Sequence, residues 1–139
     1  MTTQSLMIIV ELAVINWLLL LAASLMRARA WTAQGMMIAL GNREGLPTPI
    51  GLAGRTDRTA RNMLENLVLF SVITLVAFAA GVTDPKVELG ARLFFWGRVL
   101  YIPIYMAGIP LARTAAWAVG VVGMGMIVTA LFQALPVAL

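Results

Sequence analysis

Residues 58–80 of the chain read RTARNMLENLVLFSVITLVAFAA. The stretch from Leu67 to Ala80 is apolar and predicts a membrane-spanning helix, so the polar residues before it lie at or inside the edge of the hydrocarbon. Ionisable groups there cost about 2.5–3.5 kcal/mol each on insertion scales and therefore face a protein interior or a water-filled cavity. Arg58, Asn62 and Glu65 are spaced i, i+4, i+7 and share one face of the helix. That face suits a ligand with both acidic and amino ends.

The composition is that of an integral membrane protein. Of the 139 residues, 61% are hydrophobic and 12% are charged, whereas soluble domains carry about 25% charged residues. Four apolar windows are each close to the ~20 residues that cross the hydrocarbon of a bilayer: Leu6–Met26, Met63–Ala80, Leu93–Ile109 and Ala115–Leu135. We predict an all-α membrane protein whose single domain, residues 1–139, is a bundle of four transmembrane helices at about 5–29, 56–81, 89–108 and 112–135.

The first apolar window resembles a signal peptide only superficially. Residues 1–5 contain no Lys or Arg, and the apolar run is longer than the 7–15 residues of a signal-peptide core. We therefore expect it to remain as the first helix. Residues 33–54 are expected to form the one long loop, because the Gly and Pro residues from Gly41 to Gly54 break regular structure. The apolar middle of this loop predicts packing against the rim of the bundle.

The distribution of charge predicts the orientation in the membrane. Arginines concentrate between the first and second predicted helices, and Arg113 lies between the third and fourth. The positive-inside rule then places these two loops in the cytoplasm and both termini outside. We also expect the membrane to be the bacterial inner membrane. The pI of about 10.7 reflects this bias. We interpret the arginines as topology signals and expect no nucleic-acid partner.

The absence of Cys and His restricts the chemistry of the chain. It excludes disulfides, Cys/His metal sites, a Cys nucleophile and an imidazole base, and we expect no metal. Any thiol must therefore arrive with a substrate or cofactor. Its activation must come from Arg, Tyr, carboxylates, backbone dipoles or desolvation.

The third predicted helix carries a second polar face. Arg98, Tyr101 and Tyr105 are spaced i, i+3, i+7, and Pro103 stands between the two tyrosines. The tyrosines alone are compatible with an interfacial aromatic belt. Their shared face with a deeply placed arginine favours a binding surface instead.

Other features of the helices have simpler explanations. Asn16 in the first helix suits an interhelical hydrogen bond. Glu11, in the same helix, is either solvated near the outer interface or a proton-coupling carboxylate. In the fourth helix Gly120, Gly123 and Gly125 allow close contact with another helix.

The motifs resemble those of the MAPEG family, the membrane-associated proteins in eicosanoid and glutathione metabolism. The family's Arg-x-x-x-Asn-x-x-Glu signature is matched by Arg58, Asn62 and Glu65. Its Arg-x-x-Tyr-x-x-x-Tyr pattern is matched in the third helix, and an arginine follows that helix as Arg113. The resemblance covers almost the whole chain. Two departures are Asn66, where some members have Tyr, and a variable spacing between Tyr105 and Arg113.

The resemblance implies a left-handed four-helix protomer that assembles as a homotrimer, with sites between protomers on the cytoplasmic side. Each site would bind glutathione as co-substrate. Carried over by residue, the glutathione contacts would be Arg58, Asn62, Glu65, Arg98, Tyr101 and Tyr105, together with an arginine at the end of the first helix, either Arg27 or Arg29. Arg113 would be the catalytic residue that stabilises the thiolate.

Three functional hypotheses follow from the residues and the resemblance. The first is a glutathione-dependent membrane transferase or peroxidase that acts on lipophilic electrophiles entering from the lipid bilayer. The second is a small proton-coupled multidrug exporter that uses Glu11, although the concentration of arginines does not suit a path for cations. The third is a non-catalytic membrane protein on the MAPEG scaffold. A shared fold does not by itself transfer a reaction.

Overall fold

The computed structural model describes residues 3–135. Within that range the chain is helical and contains no strand. Its five helices are α1 (Thr3–Ala28), α2 (Ala33–Leu40), α3 (Gly51–Ala79), α4 (Pro85–Ala107) and α5 (Pro110–Ala134). The all-helical architecture is confirmed. Besides the four long helices, a fifth, short helix lies in the segment predicted to be a loop.

The four long helices pack as two antiparallel pairs, α1 with α3 and α4 with α5. At one end of the bundle, Arg55 Nε near the start of α3 donates to the carbonyl of Met106 near the end of α4, at 2.8 Å. At the other end, Arg92 in α4 donates to the side-chain oxygen of Gln4 in α1, at 3.0 Å. The residues of the two sequence motifs in α3 and α4 are therefore brought to the same end.

Three helices are long and apolar enough to cross a membrane: α1 from Gln4 to Ala28, α3 and α5. The third predicted span lies in α4, which is 23 residues long but does not meet the same standard of length and composition. Charged residues lower the mean hydropathy of this helix, which contains Lys86, Glu88, Arg92 and Arg98. Three of the four predicted spans are thus supported by length and composition within residues 3–135, and the third, the shortest and most interrupted apolar window, is not.

Helix α2 forms where residues 33–54 were predicted to be a loop. Thr32 caps it, since its side-chain oxygen accepts a hydrogen bond from the Gly35 backbone N–H at 3.0 Å. A Cβ at Gly35 would overlap the carbonyl oxygens of Ala28 and Arg29, so glycine lets the short helix pack directly on the end of α1. The Gly and Pro residues predicted a loop over residues 33–54, but only residues 41–50 of that segment lie outside a helix.

Helix α3 begins at Gly51, five residues before the predicted start at residue 56. Gly51 and Gly54 were predicted to break regular structure, and both lie inside the helix. A Cβ at Gly54 would overlap the carbonyl of Pro49, so this glycine permits the preceding segment to fold back on the first turn. The extension adds a turn that carries Arg55 toward α4.

Helices α4 and α5 approach so closely that their backbones are in contact at glycine residues. A Cβ at Gly123 would overlap the carbonyl oxygen of Gly90, and a Cβ at Gly97 would lie 2.9 Å from the backbone nitrogen of Gly120. Gly125 faces open space. Gly120 and Gly123 therefore serve contacts within the chain, so they do not support the predicted trimer.

Candidate functional site

A cavity of about 300 Å³ opens at the end of the bundle where α3 and α5 begin and α4 ends. The residues that line it come from three helices and are polar, aromatic or cationic: Asn62, Tyr101, Tyr105, Arg113, Thr114 and Trp117. Within the described part of the chain, no carboxylate lines it. The cavity therefore presents positive charge and neutral hydrogen-bonding groups to any ligand.

Arg98 lies directly behind the cavity wall and is fully buried. Its Nη1 donates to the side-chain oxygen of Asn62 at 3.0 Å, and its Nη2 donates to that of Asn66 at 2.7 Å. The Asn66 amide in turn donates to the backbone carbonyl of Asn62 at 2.8 Å. This network fixes the Asn62 side chain at the cavity wall.

The positive charge of Arg98 is held without a carboxylate. Among residues 3–135 no acidic side chain forms an ion pair with it, and its buried Nε has no hydrogen-bond partner. Its guanidinium carbon lies 5.3 Å from the ring centre of Phe94 and 5.4 Å from that of Tyr101. The ring faces contribute favourable electrostatics but do not neutralise the charge, so its field extends toward the cavity.

Tyr105 connects two further arginines. Arg58 Nε donates to the Tyr105 hydroxyl at 3.3 Å, and the Arg113 guanidinium lies over the Tyr105 ring with its carbon 4.7 Å from the centre. Tyr101 meets Tyr105 edge-to-face, with ring centres 5.4 Å apart. The expected face of Arg98, Tyr101 and Tyr105 thus meets Arg58, Asn62 and Arg113 around one cavity.

Three predicted contacts lie elsewhere in the single chain. Glu65 is exposed and forms no ion pair within residues 3–135. Arg27 lines a separate cavity of about 270 Å³ together with Arg43 and Asp57. Arg29 is exposed in the turn after α1, with a φ of 53°. Their assignment to glutathione remains a prediction, and it requires that a second copy of the chain complete the site.

Three residues of the site were not among the predicted contacts. Asn66 follows Asn62 by one helical turn, and this spacing was the available signal. Thr114 and Trp117 follow Arg113 at the start of α5 and line the cavity with it. These two residues were not predicted because the helix is otherwise apolar. A single Trp in such a span usually indicates the membrane–water interface.

Comparison with protein-family models matches residues 7–132 to the model described as the MAPEG family. No curated protein and no solved structure matches the chain. The match extends from α1 through most of α5, so it includes every residue that lines the cavity.

Proposed function

The chain belongs to the MAPEG family, and from this premise we propose that it is a glutathione-dependent membrane transferase or peroxidase that acts on lipophilic electrophiles. One observation carries the proposal: Arg58, Arg98 and Arg113 surround a cavity that has no carboxylate in its lining among residues 3–135. Glutathione would supply the missing negative charge. The chain itself has no Cys or His, so the reacting thiol comes from this co-substrate.

The groups around the cavity match the chemistry of glutathione, which has two carboxylates, one ammonium and one thiol. Arg58 is suited to a carboxylate, because a guanidinium binds carboxylates through two parallel hydrogen bonds. Asn62 and Tyr101 offer neutral hydrogen bonds. Arg98 was predicted to contact glutathione and is completely buried in the single chain, so we propose an indirect role for it. We assign to it the positioning of Asn62 and a contribution to the positive field.

Arg113 is the proposed catalytic residue. A thiol with a pKa near 8.5 is mostly protonated at neutral pH, and a neighbouring cation favours the thiolate. Arg113 lines the cavity and is fixed over Tyr105, so it is placed to stabilise sulfur as it loses its proton to water. Such an interaction accelerates the reaction because it is stronger after ionisation than before.

The thiolate then has two possible partners. In the transferase reaction its sulfur attacks an electrophilic carbon, and the leaving group departs with the bonding electron pair. In the peroxidase reaction the sulfur attacks the terminal oxygen of a hydroperoxide, the O–O bond breaks, and an alcohol and glutathione sulfenic acid form. A second glutathione converts the sulfenic acid to the disulfide and water. Both substrates would enter from the bilayer past Trp117.

The proposal includes a homotrimer whose sites lie between protomers on the cytoplasmic side of the bacterial inner membrane, with both termini outside. Glu65 would bind the ammonium of glutathione, and Arg27 or Arg29 of another copy would complete the site. The exposure of Glu65 in the single chain supports this arrangement, because a carboxylate on a membrane helix requires a polar partner.

Calorimetry of the detergent-solubilised protein with glutathione tests the proposal, followed by turnover of 1-chloro-2,4-dinitrobenzene. We expect saturable binding below millimolar concentration and release of chloride on turnover. An absence of binding at millimolar glutathione would rule out the ligand. Binding without turnover of this electrophile or of a lipid hydroperoxide would favour the non-catalytic alternative.

A further inference from the structure

The turn between α4 and α5 determines how Tyr105 and Arg113 lie relative to each other. Gly108 in this turn has a left-handed φ of 78°, and its backbone N–H donates to the carbonyl of Tyr105 at 3.0 Å. Pro110 then begins α5, and the N–H of Arg113 donates to the carbonyl of Ile109 at 3.1 Å. Any movement of the turn therefore moves the Arg113 guanidinium relative to the cavity.

The end of α4 lacks some of the hydrogen bonds of a helix interior. The last four carbonyls of a helix have no partner inside it, and Pro103 has no N–H to donate near the same end. The carbonyls of Ile104 and Tyr105 accept hydrogen bonds from the backbone of the turn. The carbonyl of Met106 accepts instead from the side chain of Arg55, so a residue of another helix completes the end of α4.

Arg55 packs directly on the turn from the start of α3. Its Nε donates to the carbonyl of Met106 at 2.8 Å, and a Cβ at Gly108 would lie 3.8 Å from its Cδ and its Nε. The side chain is half-buried, and its positive charge is favourable beside the carbonyls at the C-terminus of a helix. Within residues 3–135 it forms no ion pair, and it does not line the cavity. Its contacts are therefore with the turn.

Arg55 also lies in the helix that carries Arg58, which contacts the same end of α4. Arg58 follows it by three positions in α3, and the Arg58 Nε donates to the Tyr105 hydroxyl at 3.3 Å. Arg113 lies over the ring of the same tyrosine, 4.7 Å from its centre. A shift of the turn relative to α3 would therefore change the positions of Tyr105 and Arg113 relative to Arg58.

We propose that Arg55 is a positioning residue, which fixes the turn between α4 and α5 against α3 and thereby holds Arg113 beside the glutathione sulfur. Its effect on the reaction passes through Arg113. The catalytic consequence rests on the proposed function, whereas the fixed position of the turn can be measured without glutathione.

Distances between two spin labels measure the position of the turn in the detergent-solubilised protein. The chain has no Cys, so Arg61→Cys in α3 and Leu111→Cys in α5 provide two unique labelling sites, both well exposed. Coexpression with an excess of the cysteine-free chain isolates pairs within one copy. We expect one narrow distance distribution, which Arg55→Met shifts or broadens. The control Arg92→Met changes an arginine at the other end of the bundle and should leave the distribution unchanged.

The catalytic consequence is measured on the same substitutions without labels. Arg55→Met should raise the pKa of the bound glutathione thiol by about one unit and lower kcat with 1-chloro-2,4-dinitrobenzene about tenfold. Affinity for S-methylglutathione, which cannot ionise, should change by less than about twofold. Arg55→Lys keeps the charge and a donor and should recover part of the loss. Arg55→Gln, which keeps a neutral donor, provides the same comparison if Arg55→Met does not fold.

Three results would overturn the inference. An unchanged spin-label distance in Arg55→Met would do so whether or not glutathione binds. A changed distance with the thiol pKa and turnover of the wild-type protein would confine Arg55 to a role in the fold. A loss of S-methylglutathione affinity as large as the loss of turnover would make it a binding residue. If the wild-type chain binds no glutathione, the proposed function fails with the catalytic role, and the distance measurement still decides whether Arg55 fixes the turn.

Discussion

The guanidinium of Arg98 donates to the side-chain oxygen of Asn66 at 2.7 Å in the interior of the bundle. Its second acceptor, Asn62, is also a neutral amide. Carboxylates at these positions would neutralise the cation, whereas amides satisfy its hydrogen bonds and leave its charge intact. The cavity wall is therefore backed by a positive charge whose position is fixed.

The substitution Asn66→Asp tests whether that charge acts on the thiol. The variant keeps the shape of the side chain and can still accept from Arg98, so folding should be preserved. A new negative charge behind the cavity disfavours the thiolate, so the pKa of the bound glutathione thiol should rise. Each pKa unit of the rise corresponds to about 1.4 kcal/mol of lost thiolate stabilisation. A titration of thiolate absorbance against pH measures this. If the titration curve does not move, Arg98 only holds Asn62 in place.

Arg58→Ala should weaken glutathione binding by about tenfold or more, because a charge-assisted contact to a carboxylate is lost. Arg61→Ala is the matched control: Arg61 is in the same helix but pairs with Asp57 at 3.0 Å and is 65% exposed. Calorimetry on both variants gives the comparison. Equal losses of affinity would show that the effect is a general one of positive charge and would contradict a specific contact.

Trp117 is expected to contact the lipophilic second substrate. It lines the cavity with Arg113 and is 41% exposed, so it offers a large apolar surface next to the thiolate. Trp117→Ala should raise the KM for a lipophilic electrophile about tenfold, as expected for loss of a buried aromatic contact, and leave glutathione affinity unchanged. Steady-state kinetics with electrophiles of increasing chain length measure this. If only the affinity for glutathione fell, Trp117 would contact glutathione and not the lipophilic substrate.

Gly123 and Gly125 provide a matched pair for the packing of α4 on α5. Gly123→Ala should lower the thermal unfolding midpoint, because the new methyl group would overlap the carbonyl of Gly90 and separate the helices. Gly125→Ala meets nothing within 4 Å and should be neutral or slightly stabilising. The reverse order of the two midpoints would contradict the close glycine contact.

Much of the candidate site was predictable from spacing. Arg98, Tyr101 and Tyr105 recur at intervals that share a helical face, and the structure gathers them with Asn62 near the end of α4. The burial of Arg98 was not predictable, because it depends on how α3 and α4 approach each other. The hydrogen bond of Asn66 to Arg98 was not predicted for the same reason, since only the packed pair of helices brings its amide to Arg98.

The differences in the fold also have local causes. Helix α2 depends on a Thr32 cap and on the close approach of Gly35 to the end of α1, and neither is visible in hydrophobic periodicity. From the sequence, Gly54 predicts a break in regular structure. In the structure it lies inside α3, where the lack of a side chain permits close contact with the carbonyl of Pro49. Glu65, Arg27 and Arg29 do not line the cavity of the single chain, and only the proposed homotrimer would bring them to it.

Arg113 is proposed to stabilise the glutathione thiolate, and the thiolate absorbance of the glutathione complex of Arg113→Ala at neutral pH tests this role directly. We predict that the absorbance is lost, that turnover falls by one to several orders of magnitude at about 1.4 kcal/mol per tenfold, and that affinity for S-methylglutathione, which cannot ionise, is nearly unchanged. A thiolate signal and a turnover equal to those of the wild-type protein would contradict the claim and remove Arg113 from the mechanism.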